Sequence, residues 1–340
     1  MYGHFKHMTD STGIIQFCNI SKPLPESGYT VDDNARALIV AIGMEELERE
    51  RLIKTYTKFL QEAQTVDGTW QNLKVHDKYY TVINSEDSIG RGVLAASFAA
   101  GCDVTETRKS ACKILKKVLP RAVNVSSPRA VSYVLLGTIN IIDILGNINL
   151  MSQAKHLANK LIKLYDMNRS FEWHWFEDRL TYCNAVLPHA LFGYYAISKD
   201  KTVFETAHNT LNFLTNSLFK KGYLNIVGNQ GWWVKKNEIP PYDQQPVDAA
   251  SVTLACLQAF VTTGEKQYIE MAQTAYDWYW GKNINNLSLY NEKTQGCHDA
   301  LVPHGINSNQ GAEAVVSFLT AHQILKNVKM KKQGILIPAV

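Results

Sequence analysis

Acidic side chains stand at the predicted starts of apolar helices, where carboxyl groups could do acid–base chemistry. A single acid there also has a structural explanation, because aspartate caps a helix by accepting backbone N–H bonds. A cap, however, needs only one acid, and two of these starts carry an acidic doublet. The acids concerned are Asp32 and Asp33, Glu86 and Asp87, Asp248, and Glu313.

Two arginines lie about one turn inside the same apolar helices. Arg36 follows the first acidic doublet and Arg91 follows the second. A buried guanidinium needs a carboxylate partner, so we expect Arg36 to pair with Asp33 and Arg91 with Asp87. Part of the acidic pattern is therefore predicted to be structural.

One long loop alternates aromatic and polar residues. Trp173, Trp175 and Glu177 share one face if the stretch is an extended ribbon, with His174 between the indoles. Aromatic rings offer large flat apolar faces, on which the apolar face of a sugar ring can stack. The alternative is a hydrophobic plug beneath the loop. Two further loops set aromatic residues near carboxylates, which weakens the plug interpretation: one carries Trp232, Trp233 and Tyr242, the other Trp70, Tyr79 and Tyr80.

Helices of two kinds must position these loops. Amphipathic segments, at 51–64, 108–119, 153–165, 202–218 and 266–280, bury one face only. Between them lie segments with hardly a charge past the first turn, and a helix that is apolar on all sides is buried on all sides. These apolar segments are 34–43, 88–100, 128–145, 184–197, 249–262 and 311–325.

The alternation of the two kinds predicts an all-α fold, a double ring of six buried and about six outer helices known as an (α/α)6 barrel. Only five outer helices are visible, so the sixth outer position is either empty or filled by the N-terminal segment. Long connections precede the buried helices and short ones follow them. We therefore expect the long loops on one face, and function concentrates on loops carried by a rigid scaffold. These loops are 26–33, 66–87, 121–128, 166–183, 220–248 and 281–310.

Length and composition favour one globular domain over 1–340, with an extended N-terminal segment at 1–27 and a polar tail at 326–340. Hydrophobic residues make up 46% and charged residues 19% of the chain, which excludes disorder. A net charge of +4 gives no reason to expect nucleic acid. The six cysteines form no CxxC pair and are expected to be free and mostly buried.

Several classes of site and location are not indicated by the sequence. Nucleotide-binding glycine motifs, the GxSxG nucleophile motif and metal-ligand spacings of histidine are missing, so we expect neither cofactor nor metal. No run of about 18 apolar residues and no signal peptide are visible. The chain is therefore expected to be cytoplasmic and without a membrane partner.

Six stretches of the chain resemble a helical carbohydrate-active domain of bacteria, found alone or fused behind glycosyltransferases, within the six-hairpin glycosidase class. The resemblance implies the ring of helices, an oligosaccharide or glycan substrate and a possible glycosyltransferase partner. The matching stretches are HMTDSTGI at 7–14, GYTVDDNARAL at 28–38, EDSIGR at 86–91, WFED and LTY at 175–182, QPVDAA at 245–250, and GINSNQGAE at 305–313.

Two positions depart from that family. Similar proteins carry an acid where this chain has Cys183 and a histidine where it has Ile89. If the missing acid were the catalytic base, this chain would be inactive or altered.

These observations predict a glycoside hydrolase, with inversion favoured by the resemblance. Such an enzyme needs one carboxylic acid as proton donor and one carboxylate as base or nucleophile. Glu177, among aromatic residues, is the expected general acid, and Asp87 or Asp33 the base. Residues expected to bind substrate are Asp32, Arg36, Glu86, Arg91, Trp173, His174, Trp175, Trp232, Tyr242, Gln245, Asp248, Asp299, Asn309 and Glu313.

Two other functions fit the same sequence. The first is a non-catalytic glycan-binding or scaffold domain that partners a glycosyltransferase, for which Cys183 is the best argument. The second is a sugar epimerase or lyase on the same barrel. An epimerase would need histidines at the rim of the barrel, where His174, His298 and His304 are available.

Overall fold

Apolar and amphipathic helices alternate along the chain, as the sequence predicts. A computed structural model describes residues 1–82, 85–145, 149–330 and 338. Within these residues the helices are, in chain order, α1 (Gly3–His7), α2 (Val31–Ile42), α3 (Arg49–Ala63), α4 (Glu86–Ala100), α5 (Thr105–Ala122), α6 (Pro128–Leu145), α7 (Asn149–Asn168), α8 (Val186–Ser198), α9 (Lys201–Leu218), α10 (Pro246–Thr263), α11 (Lys266–Tyr276) and α12 (Ala312–Lys329). Two short 3-10 helices lie at Pro25–Ser27 and Asp277–Tyr279.

The even-numbered helices form a closed inner ring. Each packs against the next, and α12 packs against α2, so the first and last inner helices are neighbours. Small residues let these helices approach closely: a Cβ on Gly90 of α4 would lie 2.9 Å from the Cβ of Tyr133 on α6. The six apolar segments are thus buried because they face neighbours on both sides, and the predicted (α/α)6 architecture is confirmed.

The odd-numbered helices from α3 to α11 form the outer ring, and each buries one stripe. On α3, for example, Leu52, Ile53 and Tyr56 are buried while Lys54 and Lys58 reach solvent. The sixth outer position is filled by the N-terminal segment, whose helix α1 packs against α12 and buries Phe5 in the core, beside Tyr56 of α3. The prediction of an extended segment over 1–27 is therefore wrong at 3–7, where this apolar contact supports a helix.

All the long loops lie on one face, where short antiparallel strands join them. The strand β3, before α2, pairs with β4, and β6 pairs with β7 from the next long loop. The third long loop joins the same face, because the backbone N–H of Ser126 donates to Glu86 at the start of α4. The strands are β1 (Cys18–Asn19), β2 (Lys22–Pro23), β3 (Tyr29–Thr30), β4 (Leu73–Val75), β5 (Lys78–Tyr80), β6 (Arg179–Leu180), β7 (Trp233–Val234), β8 (Tyr290–Asn291), β9 (Gly296–Cys297), β10 (Ala300–Val302) and β11 (Gly305–Asn307).

The C-terminal helix is longer than the sequence predicts. Helix α12 continues to Lys329 because Leu325 and Val328 are still buried against the core. The predicted polar tail therefore cannot begin at 326, and its part at 331–337 and 339–340 lies outside the described residues.

Helix α6 is one of the long apolar helices of the inner ring. By length and composition alone it could span a membrane, although its sequence interrupts the apolar run with polar residues. In the structure it packs between α4 and α8, with Tyr133 and Leu135 fully buried. Its hydropathy is accounted for by this central position in the ring. The cysteines of the described chain are free, and all but the half-buried Cys112 are buried, as expected.

Candidate active site

A cavity of about 700 Å³ opens on the face that carries the long loops. Its walls come from the N-terminal segment, the first turns of α2, α10 and α12, and the loops before α4, α10 and α12. Of the residues predicted from sequence to form a site, those that line this cavity are Asp32, Asp33, Arg36, Gln245, Asp299 and Glu313.

Arg36 organises the acids of the cavity. Its Nη2 lies 2.8 Å from Oδ1 of Asp33, and its Nη1 lies 3.0 Å from Oε2 of Glu313. Asp32 is farther away, at 3.9 Å from Nη2. The predicted pairing of Arg36 with Asp33 is confirmed. A single guanidinium thus holds carboxylates from the first and the last inner helix, one on each terminal nitrogen.

Asp33 also has a local structural role at the start of α2. The side chain of Thr30 caps the helix by accepting the N–H of Asp33, and its hydroxyl donates to Oδ2 of Asp33 at 2.6 Å. Burial raises the pKa of Asp33 to about 6, against the lowering effects of Arg36 and Thr30. Both oxygens of this carboxyl are engaged by the protein.

Among the described residues, Asp299 is anchored through one oxygen. The N–H of Gly311, the residue that precedes α12, donates to Oδ1 at 2.7 Å. Burial, the main cause, and the nearby carboxylates of Glu313 and Asp33 raise the pKa of Asp299 to about 6. With this pKa, about half of the molecules carry the proton at pH 6 and about a tenth at pH 7, so the group can act as a general acid at mildly acidic pH.

A second layer of polar residues lies behind the cavity. Nη1 of Arg91 is 3.3 Å from Oδ2 of Asp32, so its predicted pairing with Asp87 is wrong. Nη2 of Arg91 approaches the hydroxyl of Tyr133 at 3.2 Å and the sulfur of Cys183 at 3.7 Å. Burial raises the pKa of Cys183 to about 12, so the thiol is neutral.

Asp248 belongs to this layer and does not line the cavity. The backbone N–H of Cys183 donates to its Oδ1 at 2.6 Å. Burial raises the pKa of Asp248 to about 7, and the hydrogen bond from Cys183 opposes that shift. Its expected contact with sugar hydroxyls is not supported, because the side chain is enclosed by protein.

Two of the three acids expected from sequence to be catalytic, Glu177 and Asp87, are held by other protein groups and do not line the cavity. Arg129 donates from Nη1 to Oε2 of Glu177 at 3.0 Å. The hydroxyl of Tyr182 donates to Oδ2 of Asp87 at 2.6 Å, and Ser127 donates to its Oδ1 at 3.2 Å. The sequence shows the acids but not these partners, which lie 40 or more residues away along the chain.

Other predicted substrate contacts turn out to stabilise loops or helices. Glu86 accepts the N–H groups of Ser126 and Ser127 just before α6. Tyr242 donates from its hydroxyl to Asn285 at 2.9 Å. Asn309 accepts the N–H of Ile20 at 2.9 Å, and Trp232 packs near the ring of Tyr182.

The loop with two indoles forms the hydrophobic plug, not a stacking surface. Trp173 and Trp175 are 3% and 0% exposed, and both contact Phe213 of α9. The predicted ribbon over 173–177 is not formed: Trp173 bridges to Ser170 and the chain then bends, with both indoles packed inward. His174 points to a separate groove beside α9, where Tyr165 contacts its Nδ1 at 3.2 Å.

The cavity also contains residues that sequence reasoning missed. Phe17 is 53% exposed at the cavity wall and offers the aromatic face that the buried indoles cannot. Asn72, Asp243 and Asn307 add polar groups. Asp243 was visible in the sequence beside Tyr242, whereas Phe17 gave no signal because it stands alone in the N-terminal segment.

Histidine and metal-binding arrangements bear on which chemistry the cavity could support. None of the cavity-lining residues in the described chain is a histidine. In the same part of the chain, no group of three His, Cys, Asp or Glu side chains is placed to hold a metal ion. The groups at the cavity that can transfer a proton are carboxyl groups.

Comparison with known proteins supports the fold. Neither models of protein families nor curated proteins give a match to this sequence. Among solved structures, a D-mannose isomerase has a TM-score of 0.73 at 14% identity, with 96% of this chain and 95% of that chain covered. A sugar epimerase from a ruminal bacterium has a TM-score of 0.74 at 11% identity, with 98% and 95% covered.

An α-1,6-mannanase from Salegentibacter sp. HEL1_6 is also similar, with a TM-score of 0.66 at 9% identity and 96% of both chains covered. An inactive variant of that mannanase, in which two consecutive aspartates are replaced, was solved in complex with α-1,6-mannotetrose. At such low identity these likenesses concern the fold. The chain has the same (α/α)6 architecture as these sugar isomerases, epimerases and mannanases.

Proposed function

We propose that this protein is a glycoside hydrolase that acts on an oligosaccharide or glycan. The observation that carries the proposal is the convergence of Asp33, Asp299 and Glu313 on one open cavity. Hydrolysis needs a proton donor and a carboxylate on opposite sides of a glycosidic bond. The similar fold of the α-1,6-mannanase supports this class of reaction.

Asp299 is the proposed general acid. Its raised pKa favours the protonated form. Oδ1 accepts the N–H of Gly311, whereas no hydrogen bond from the described residues holds Oδ2. Glu313 is the proposed base or nucleophile. Its side chain is 46% exposed and is oriented by Arg36, so it can reach a water molecule or a sugar carbon in the cavity.

Asp33 is then a positioning residue. Its oxygens are occupied by Arg36 and Thr30, so it fixes the guanidinium that orients Glu313. Phe17 supplies a face on which a sugar ring can stack. These assignments replace Glu177 and Asp87, whose carboxylates are held by Arg129 and Tyr182.

The test is a screen of α- and β-linked mannosyl and glucosyl oligosaccharides with the unmodified chain and with Asp299→Asn and Glu313→Gln. We expect turnover by the unmodified chain and a loss of at least about 10²-fold in each variant, the low end for general acid–base catalysis. The anomer formed first, read by NMR, gives the stereochemistry, for which the family resemblance implies inversion. Full turnover by both variants would refute the assignment.

The epimerase alternative is disfavoured despite the similar folds. His174 lies in the groove beside α9, and neither His298 nor His304 is among the residues that line the cavity. His298 instead contacts the carbonyl of Ser308 through Nδ1 at 3.0 Å. Sugar epimerisation by the unmodified chain, without hydrolysis, would contradict the proposal.

One observation favours a second candidate, a non-catalytic glycan-binding domain that partners a glycosyltransferase. Cys183, in place of the acid expected from the family resemblance, is a neutral buried thiol. Binding of an oligosaccharide without turnover under any tested condition would support this candidate over the hydrolase.

A further inference from the structure

The charge of the cavity is opposite to that of the whole chain. The chain carries a net charge of +4. Within the described residues, the cavity is lined by five carboxyl side chains and one cation, Arg36. The carboxyl groups belong to Asp32, Asp33, Asp243, Asp299 and Glu313.

The two arginines near the cavity are already paired with carboxylates and do not offer a positive charge to a ligand. Arg36 is buried and already paired with Asp33 and Glu313. Arg91 lies behind Asp32 and is also buried, with Asp32 between it and the cavity. An anionic group on a ligand would therefore meet carboxylates before it met an unpaired guanidinium.

Two carboxylate oxygens in the wall have no hydrogen-bond donor in the part of the chain that the structure describes. They are Oδ1 of Asp32 and Oδ1 of Asp243. Both oxygens are shielded from solvent, so their uncompensated charge acts on a ligand through space and favours one that is rich in hydrogen-bond donors. Hydroxyl and ammonium groups are such donors, whereas a carboxylate, sulfate or phosphate brings only acceptors to these oxygens.

We infer that the cavity selects uncharged or amino-bearing sugars and rejects sugars that carry an anionic group. The inference rests on the proposed function, since it assigns the substrate class of the same cavity. Asp243 is a specificity-determining residue in this scheme. It lines the cavity, and the N–H group of Gln230 that reaches its Oδ2, at 3.3 Å, leaves Oδ1 unpartnered.

The test compares three probes of equal size and linkage by isothermal titration calorimetry. They are a neutral mannosyl or glucosyl trisaccharide, the same trisaccharide with its terminal C6 oxidised to a carboxylate, and its terminal 2-amino form. We expect the neutral and amino probes to bind at least about tenfold more tightly than the carboxylate, because like charges in an interface are repulsive. The ratio should shrink as salt is raised.

Two variants distinguish the effect of a charge in the cavity wall from the effect of the protein's net charge on binding. Asp243→Asn should reduce the discrimination at least about threefold, since it removes one carboxylate from the wall while keeping its shape. Glu270→Gln removes the same charge from exposed outer helix α11 and should leave the ratio unchanged. An equal effect of both variants would show that only net charge matters and would overturn the inference.

The remaining outcomes separate this inference from the proposed function. Equal binding of all three probes, together with hydrolysis of the neutral one, would overturn the inference alone. Selective binding without hydrolysis would support the inference and count against the hydrolase. Tightest binding by the carboxylate probe would overturn the inference whatever the enzymatic result.

Discussion

Arg36 and Glu313 join the first and the last inner helix through a 3.0 Å ion pair at the cavity. The residues are 277 positions apart in sequence. Because Arg36 is buried, its removal would leave Asp33 with an uncompensated charge as well as releasing Glu313. The same contact thus serves both the stability of the ring and the orientation of a proposed catalytic group.

Replacing Arg36 should therefore reduce stability and turnover together. We expect Arg36→Met to lower the free energy of unfolding by about 3 kcal/mol, as when one partner of a buried pair is lost. Arg49→Met is the control, because Arg49 pairs with the exposed Asp103 and such surface pairs contribute less than about 1 kcal/mol. Urea unfolding followed by circular dichroism measures both, and equal losses would contradict the structural role.

The proposed general acid predicts the pH dependence of turnover. Asp299 must be protonated to act, and its pKa is raised to about 6 by burial. We expect kcat to fall as the pH rises above about 6, and Asp299→Asn to remove this dependence along with at least about 10²-fold in rate. Glu270→Gln should keep the profile of the unmodified chain. A profile that Asp299→Asn leaves unaltered in shape would exclude this group.

Asp248 predicts a pH dependence of stability that does not require activity. Its pKa is about 7 in the folded chain and near 3.8 when unfolded. Between these values the folded state binds more protons, so this group makes the protein less stable as the pH rises. Asp248→Asn, which keeps an acceptor for the N–H of Cys183, should gain at least about 1 kcal/mol relative to the unmodified chain from pH 5 to pH 8. Urea unfolding at both pH values tests this, and a parallel pH dependence of the two proteins would contradict it.

Cys183→Asp tests whether the departure from the family matters. The residue has a left-handed backbone, with φ at 45°, which aspartate tolerates better than most side chains. The new carboxylate would lie beside Arg91, whose Nη1 is ion-paired with Asp32 and whose Nε has no hydrogen-bond acceptor among the described residues. We expect a folded variant whose turnover stays within about threefold, because position 183 is buried behind the cavity. Turnover that appears only in this variant would place the reaction near Arg91 and refute the role of Asp299.

The buried Trp175 and the exposed Phe17 predict opposite effects when each side chain is replaced by alanine. Trp175→Ala should cost about 3–5 kcal/mol of stability, since the indole is fully buried. Phe17→Ala should leave stability within about 0.5 kcal/mol but weaken oligosaccharide binding, because the ring is exposed at the cavity. Thermal unfolding measures the loss of stability and calorimetry the loss of binding in each variant. If Trp175→Ala were fully folded and were the one variant that lost binding, Trp175 and not Phe17 would be the stacking residue.

The ring of helices could be predicted from sequence because burial on all sides and burial on one side leave different patterns. Segment 128–145 shows the first pattern and corresponds to α6, and segment 202–218 shows the second and corresponds to α9. The N-terminal helix α1 was not predicted, because five residues are too few to show a helical period.

The site was only partly predictable. Asp33 and Arg36 are one turn apart, so their pairing follows from helical geometry. Glu177 lies in a loop and Arg129 in the first turn of α6, and nothing in the sequence relates them. Trp175 shows the same limit, because the sequence of a loop does not reveal whether a tryptophan packs inward or faces a sugar.

The closure of the inner ring has a consequence for synthesis of the protein. The cavity takes Asp33 from near the beginning of the chain and Glu313 from near its end. A ribosome-bound chain that ends before Gly311 has neither Glu313 nor the Gly311 N–H that anchors Asp299. The proposed chemistry therefore begins only after the last inner helix has docked. A chain truncated before that helix would be inactive rather than partly active.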